Sequence, residues 1–192
     1  GSEMCIRDRM DGTRSAMGQI DAVLADLQRF AATRPTEAQL LSDTEVRVSR
    51  VIRGTREQVW RAHHDATLLP RWLSGPDGWT MPVCRIATAV GESYTYEWAM
   101  ADGSQRFGFT GTLLESTAPY RAVTTERMLG TDGPETRNEL TLVRVPGGTL
   151  LSLLITYPSR ELRDMILGTG MTDGMEASYA RLERAVLPNL AA

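Results

Sequence analysis

Residues 157–188 read Y-P-S-R-E-L-R-D-M-I-L-G-T-G-M-T-D-G-M-E-A-S-Y-A-R-L-E-R-A-V-L-P, and this stretch decides the fold. Ser159 is typical of a helix start, Gly168 and Gly170 interrupt the helical pattern, and Pro188 ends it. We therefore predict a short helix over about 160–167, a glycine hinge, and a long amphipathic helix over about 172–187. The apolar side of the long helix recurs at three- and four-residue spacing, through Met171, Met175, Ser178, Tyr179, Leu182 and Val186.

The chain ahead of this helix alternates polar and apolar residues, which is typical of β-strands. Residues 45–52 predict a first strand, and two short helices follow over about 56–62, with Thr55 as its cap, and 65–73. Hairpin turns at 101–104 and 145–148 separate later strands, and short connections favour an antiparallel meander. The predicted fold class is α+β, with one curved sheet gripping the long C-terminal helix. The later strands are expected at about 80–88, 91–101, 104–116, 121–128, 137–145 and 149–157.

The chain divides into three parts by sequence pattern. Residues 1–9 look foreign to the fold and are interpreted as a non-native leader. Residues 10–43 predict an amphipathic helix over about 15–32, followed by a linker with at most a helical turn. This helix is expected to pack on the domain or to form a homodimer. The domain itself is predicted over 44–190.

Composition excludes several classes of function. The formal net charge is −3, which gives no electrostatic reason to expect nucleic acid. All basic residues are arginine, so Schiff-base chemistry and a phosphate-loop lysine are excluded. Two cysteines do not make a disulfide framework, and no apolar run reaches the ~18 residues of a membrane span. We expect a cytoplasmic protein that does not insert into membranes.

The alternation of the strands predicts which side chains face the helix. Tyr94, Tyr96, Trp98 and Met100 share one side of their strand. Phe107, Phe109, Gly111 and Leu113 share a side of the next strand, and Leu151, Leu153, Ile155 and Tyr157 share a side of the last. Large aromatic residues beside a glycine leave room for a cavity, which flexible methionines could line. The alternative is that the same stripe is simply core.

Several motifs resemble a bacterial family. They include Arg56-Glu57-Gln58-Val59-Trp60-Arg61-Ala62, Arg71-Trp72, and the run from Pro76 to Cys84. Later in the chain come Phe107-Gly108-Phe109-Thr110-Gly111, Thr125-Glu126-Arg127, Tyr157-Pro158-Ser159, and the run from Thr169 to Met175. Together, over about 44–187, they resemble the activator of heat-shock protein 90 ATPase homologs, in the SRPBCC (START-like, Bet v 1-like) superfamily. The resemblance implies a helix-grip fold with a cavity between the sheet and the last helix.

The residues with reactive side chains do not form a recognisable catalytic motif. His63 and His64 are adjacent on a helix, about 100° apart, so they are poorly placed to share a metal. Cys84 lies in an apolar strand and is expected to be inert. Glu126 and Arg127 lie on opposite faces of one strand; if Arg127 faces inward, it is the best candidate to orient an acidic ligand. We assign no catalytic residue, metal or cofactor.

Three hypotheses about function remain open. The first is a noncatalytic module that binds a hydrophobic small molecule in the cavity. The second, implied by the family name, is a chaperone-associated protein that uses its outer surface. The third is an enzyme of the cyclase or hydrolase kind, which requires a buried acid–base pair. The candidate ligand-binding residues are Trp72, Trp79, Tyr94, Tyr96, Trp98, Phe107, Phe109, Arg127, Met171, Met175 and Tyr179.

Overall fold

A computed structural model describes residues 35–191 of the chain. The predicted leader over 1–9 and the predicted amphipathic helix over about 15–32 lie outside these residues. Within the described range, eight strands form one antiparallel sheet in the order β1–β2–β8–β7–β6–β5–β4–β3. The strands are β1 (Glu37–Leu40), β2 (Glu45–Ile52), β3 (Trp79–Arg85), β4 (Ser93–Met100), β5 (Arg106–Thr117), β6 (Arg121–Met128), β7 (Thr136–Val145) and β8 (Gly148–Thr156).

Four α-helices complete the described fold: α1 (Arg56–His64), α2 (Leu69–Trp72), α3 (Arg160–Gly168) and α4 (Met171–Arg181). The chain continues beyond α4 in a π-helical turn over Leu182–Val186 and a 3-10 turn over Leu187–Asn189. The predicted α+β class and the sheet wrapped around a long C-terminal helix are confirmed. None of the helices in the described range is long and apolar enough to cross a membrane.

Local sequence signals account for the helix boundaries. Thr55 caps α1 by accepting a hydrogen bond from the Gln58 amide, and the Gln58 side chain accepts from the Thr55 amide in return. Ser159 caps α3 in the predicted way. Gly170 has a φ of +80° at the start of α4, a left-handed conformation that glycine adopts without steric cost. This glycine makes the hinge between the two C-terminal helices.

Two expectations about local structure were wrong. Residues 36–43 were predicted to be a linker, but residues 37–40 form β1, which pairs with β2 along the edge of the sheet. The Thr36 amide also donates to Glu176 Oε2 at 2.8 Å, which ties this segment to α4. The helix predicted over 65–73 spans only Leu69–Trp72, because Asp65 instead closes a turn with the Thr67 amide.

The core has three clusters: one is built on Ala87, Tyr94, Leu113 and Ala122, and the other two meet under α4. The larger cluster lies under the C-terminal part of α4 and includes Ile52, Val59, Leu151, Leu182 and Val186, all fully buried. The smaller cluster is built on Val46, Val48, Ile155 and Tyr157, and Met171 packs against it. Met175 packs against both clusters. The predicted apolar stripe of the helix is therefore the side that faces the sheet.

Candidate functional site

A cavity of about 250 Å³ lies between the inner face of the sheet and helices α1, α2 and α4. Aromatic and aliphatic side chains make most of its wall, and a few polar groups interrupt it. Such concave, mostly apolar spaces are where proteins hold small molecules. The lining residues are His63, His64, Leu69, Trp72, Leu73, Ile86, Ala87, Tyr94, Tyr96, Leu113, Thr124, Glu126, Asn138, Leu153, Met175, Ser178 and Tyr179.

The polar corner of the cavity is built around Gly111. The Tyr94 hydroxyl lies 2.8 Å from the Thr125 carbonyl oxygen and 3.1 Å from Glu126 Oε2. A Cβ atom at position 111 would come within 1.8 Å of that carbonyl oxygen and 2.8 Å of the Tyr94 ring. Only glycine therefore allows the ring to lie across β5 and bring its hydroxyl to Glu126. This geometry explains why a glycine stands in the middle of an otherwise bulky strand.

The carboxyl group of Glu126 is buried in this corner and contacts the Tyr94 hydroxyl. The Tyr94 hydroxyl lies within donor distance of both the Thr125 carbonyl oxygen and Glu126 Oε2, so its one proton is shared between these two acceptors. Burial raises the pKa of Glu126 above its ordinary value, against the opposing hydrogen bonds from Tyr94 and Asn138.

The two histidines of α1 line the opposite part of the cavity as neutral rings. The Nδ1 atom of His63 lies 2.8 Å from the Val59 carbonyl oxygen, and that of His64 lies 2.9 Å from the Trp60 carbonyl oxygen. Because a carbonyl can only accept, each Nδ1 carries a hydrogen and each Nε2 is left as an acceptor. Burial lowers the pKa of His63 to about 4 and also lowers the pKa of His64.

Comparison with known proteins identifies the family. A sequence profile described as Activator of Hsp90 ATPase homolog 1-like protein matches residues 53–186, which is more than half of the chain. The chain belongs to this family. The resemblance noted from the sequence motifs is thus confirmed, and with it the SRPBCC superfamily. Among curated proteins, no match was found.

Solved structures of relatives share the fold along most of their length. A crystal structure of a Rhodobacter sphaeroides protein has 30% identity and a TM-score of 0.73, and the match covers 78% of this chain and 96% of that one. The Mycobacterium smegmatis protein Ms6760 has 19% identity and a TM-score of 0.71, with 83% and 100% covered. An AHSA1-like protein from Aeromonas hydrophila has 22% identity and a TM-score of 0.63, with 77% and 98% covered.

In this member of the AHSA1-like family, five of the predicted site residues meet at the cavity wall: Trp72, Tyr94, Tyr96, Met175 and Tyr179. Trp72 and Tyr179 stack with their ring centroids 5.8 Å apart, and the Trp72 indole nitrogen donates to the Ala62 carbonyl. Burial raises the pKa of both Tyr96 and Tyr179, so these phenols stay neutral. The wall is therefore aromatic and uncharged on the side of the helices.

The other predicted site residues lie outside the cavity lining, which corrects their expected position. Trp79, Trp98, Phe107 and Phe109 form a separate aromatic cluster on strands β3 to β5, with the Trp98 and Phe107 rings stacked at 5.2 Å. The helices leave Phe107 exposed there, although its strand alternation is as predicted. Met171 packs instead in the smaller core cluster, where its sulfur lies 3.9 Å from the Tyr157 hydroxyl.

Arg127 is directed away from the cavity, so it is not the group that orients a ligand. Its guanidinium donates to the Thr131 carbonyl at 2.9 Å and lies 3.4 Å from Glu135. Glu126, the neighbouring residue on the opposite face, lines the cavity instead. Strand alternation had predicted that only one of the two faces inward, but not which one. The ionisable residue that this part of β6 contributes to the cavity is therefore the acidic Glu126 and not the basic Arg127.

The cavity is also lined by polar residues that were not among the predicted site residues: Glu126, His63, His64, Thr124 and Asn138. The spacing of Glu126 from Thr124 was a usable signal, because the two share one face of β6. The histidines carried none, since adjacent helical residues diverge. No group of three or more His, Cys, Asp and Glu side chains within residues 35–191 is arranged to hold a metal. Burial raises the pKa of Cys84 to about 11, so its thiol is unreactive at neutral pH.

Proposed function

We propose that the chain is a binding module for a hydrophobic small molecule, held in the cavity between the sheet and α4. The observation that carries this proposal is the cavity of about 250 Å³ with its aromatic wall. A space of this size suits a molecule of one or two rings, whose apolar surface leaves water on binding. Removing apolar surface from water contributes about 25 cal/mol per Å², from which the cost of association is subtracted.

A filling mutation tests whether the cavity is the binding site. In Met175→Trp a bulkier side chain occupies the space next to Tyr179, which should abolish binding of a hydrophobic fluorescent dye. Overpacking costs typically about 1–3 kcal/mol, so the fold should persist and is checked by circular dichroism. Met165→Trp is the matched control, because Met165 lies on α3 with 64% of its surface exposed. This control should bind the dye as the wild type does.

The outcomes separate the binding module from its alternatives. Dye binding by the wild type and by Met165→Trp, but not by Met175→Trp, supports the proposal. Equal binding by all three places the dye elsewhere and contradicts it. If the wild type binds no dye, and native mass spectrometry of the freshly purified protein finds no retained molecule, the hypothesis of a chaperone-associated outer surface becomes the better one.

A second candidate function is acid–base catalysis inside the same cavity. The enzyme hypothesis required a buried acid and base, and the carboxylic acid of Glu126 and the imidazoles of His63 and His64 line one space. A neutral Nε2 can accept a proton from a bound molecule while the acid donates one. Exchange of the α-hydrogens of a cyclic ketone in deuterium oxide, followed by NMR, tests this chemistry. No acceleration over a Glu126→Gln variant would contradict it.

A further inference from the structure

Several polar groups around the cavity offer hydrogen-bond acceptors, beside the donors of Thr124, Asn138 and the tyrosines. The neutral rings of His63 and His64 each leave Nε2 as an acceptor, because Nδ1 donates to a backbone carbonyl. The Ser178 hydroxyl donates its proton to the Gly174 carbonyl at 2.9 Å, so its oxygen is also left to accept. Glu126 contributes a carboxyl group, which accepts fully once it ionises. A ligand that donates hydrogen bonds therefore finds acceptors in this wall.

No arginine lines the cavity among the described residues, and the chain contains no lysine. The two arginines that pack beside α4 are directed to other acceptors. Arg50 Nε lies 2.9 Å from Glu176 and its Nη1 lies 3.0 Å from Glu183. Arg181 donates to the carbonyls of Trp72 and Gly75 at 3.0 and 2.9 Å. An anionic ligand would therefore find no counter-ion in the wall.

Aromatic rings surround the acidic group. Trp72, Tyr94, Tyr96 and Tyr179 line the cavity, and the Tyr94 and Tyr96 ring centroids lie 4.9 Å apart. The faces of such rings carry partial negative charge and attract cations, most strongly where water is excluded. Glu126 lies in the same wall and can supply a full negative charge. Aromatic faces with one carboxylate are a recognition site for an organic ammonium group.

We propose that the cavity selects small arylalkyl amines, bound as the ammonium ion with Glu126 as counter-ion, and excludes carboxylates of the same shape. This inference rests on the proposed binding function and specifies its ligand. The rings of the ligand lie among the aromatic side chains, and its ammonium group pairs with Glu126. Both the place of the rings and the place of the ammonium group are inferred from the residues that line the cavity.

Binding of the amine should release a defined number of protons to solvent. Burial favours the protonated form of Glu126 in the free protein, whereas an alkyl amine in neutral water is already cationic. Forming the ion pair releases the Glu126 proton to solvent, so one proton leaves for each amine bound. Amine affinity should therefore rise about tenfold per pH unit while free Glu126 stays protonated, since each unit is a tenfold change in proton activity. An uncharged ligand moves no proton.

The other titratable groups around Glu126 do not disturb this count. Tyr94 and Tyr96 on β4 and Tyr157, which follows β8, lie near it, and burial raises the pKa of each of them. They stay neutral over the range of the experiment. The pKa values of His63 and His64 are lowered by burial, so both rings are already neutral above about pH 6.5.

Isothermal titration calorimetry of the full chain tests the proposal with three probes of one shape: naphthylethylamine, naphthylethanol and naphthylacetate. At pH 7 we expect the amine to bind at least about tenfold more tightly than the alcohol, and the acetate not to bind, because a tenfold ratio corresponds to the gain of one charged hydrogen bond. Runs in phosphate and in Tris, which differ in ionisation enthalpy, should report one proton released with the amine and none with the alcohol.

Variants assign the effect to Glu126. Glu126→Gln keeps the shape of the side chain and should bring the amine affinity down to that of the alcohol measured with the same variant. The matched control is Glu135→Gln, which alters an exposed carboxylate on the outer side and should leave all three affinities unchanged. The rise in amine affinity with pH in the wild type tests the same point without any variant.

The experiments distinguish failure of the amine proposal from failure of the proposed binding function. If the alcohol binds as tightly as the amine and neither releases a proton, the amine proposal is overturned while the hydrophobic binding function stands. Binding of naphthylacetate at comparable affinity overturns it in the same way. If none of the three probes binds and the dye also fails, the proposed function fails together with the amine proposal.

Discussion

The C-terminal helix, taken as α4 together with the π-helical turn over Leu182–Val186, packs against the sheet differently at its two ends. At its C-terminal end, Leu182 and Val186 are fully buried against aliphatic side chains such as Ile52 and Leu151. Nearer its N-terminal end, Met175 and Tyr179 face a cavity of about 250 Å³. One continuous apolar stripe therefore makes both a closed core and an open space.

The difference comes from what lies opposite the helix. Branched aliphatic side chains interdigitate to the density of a protein interior and leave no space. Opposite Met175 lie tyrosines whose hydroxyls require partners, together with Glu126 and the side-chain-free position of Gly111. The Tyr94 hydroxyl is held by hydrogen bonds to the Thr125 carbonyl and Glu126, which fixes this side of the cavity in place. A polar corner thus keeps the cavity open within an otherwise apolar fold.

Truncation at the two ends should give the largest contrast. Leu182→Ala removes a fully buried side chain and is expected to cost about 3–5 kcal/mol of unfolding free energy. Met175→Ala enlarges a space that already exists and should cost less than about 2 kcal/mol. Urea unfolding at pH 7 measures both values. Similar losses at the two positions would contradict the comparison between a closed and an open end.

The charged groups under the helix allow a second contrast. Arg50 is buried and bridges Glu176 and Glu183 of α4 and its extension, whereas Arg144 and Glu57 form an exposed pair. Arg50→Met leaves a carboxylate unpaired and should cost about 3 kcal/mol, the lower end of the range for buried pairs, since Glu176 still reaches solvent. Arg144→Met should cost less than about 1 kcal/mol. Equal unfolding midpoints for these two variants would refute this assignment.

His63 should make the cavity end sensitive to acid. Its pKa is lowered by burial to about 4 in the folded protein, against about 6.5 when unfolded. The unfolded chain therefore binds the extra proton between these values, and stability is lost as pH falls from 6.5 toward 4. The loss amounts to at most about 3 kcal/mol. Thermal unfolding from pH 4 to 7 should show a shallower slope in His63→Gln; an unchanged slope would exclude His63 as the cause.

Glu126 should act in the opposite direction. Burial raises its pKa above the unfolded value, so its contribution is fully present below about pH 4.5 and is lost as pH rises through the folded pKa. The stability of Glu126→Gln relative to the wild type should therefore increase with pH above about 4.5. Glu135→Gln serves again as the exposed control and should show no such trend. A difference independent of pH would mean that Glu126 is ionised in the fold.

Much of the fold follows from local patterns in the sequence. The strands and the two C-terminal helices could be predicted because periods of two and of about 3.6 residues report which side chains share a face. The hinge was visible at Gly168 and Gly170, and the caps at Thr55 and Ser159. Strand β1 was missed because its four residues, Glu37 to Leu40, are too few for a period and include no β-branched or aromatic residue.

The site depended on relations that no local pattern contains. Alternation puts Glu126 and Arg127 on opposite faces, but which face becomes the interior is set by the pairing of β6 with β5 and β7. Trp98 and Phe107 carry the predicted alternation, yet they lie outside the cavity, because Trp98 is buried against the Leu73 carbonyl after α2 and Phe107 is exposed. His63 and His64 line the cavity only because α1 packs beside α4. The sequence alone determined which side chains share a face; tertiary packing decided which of them surround the empty space, because that depends on contacts between residues distant in the chain.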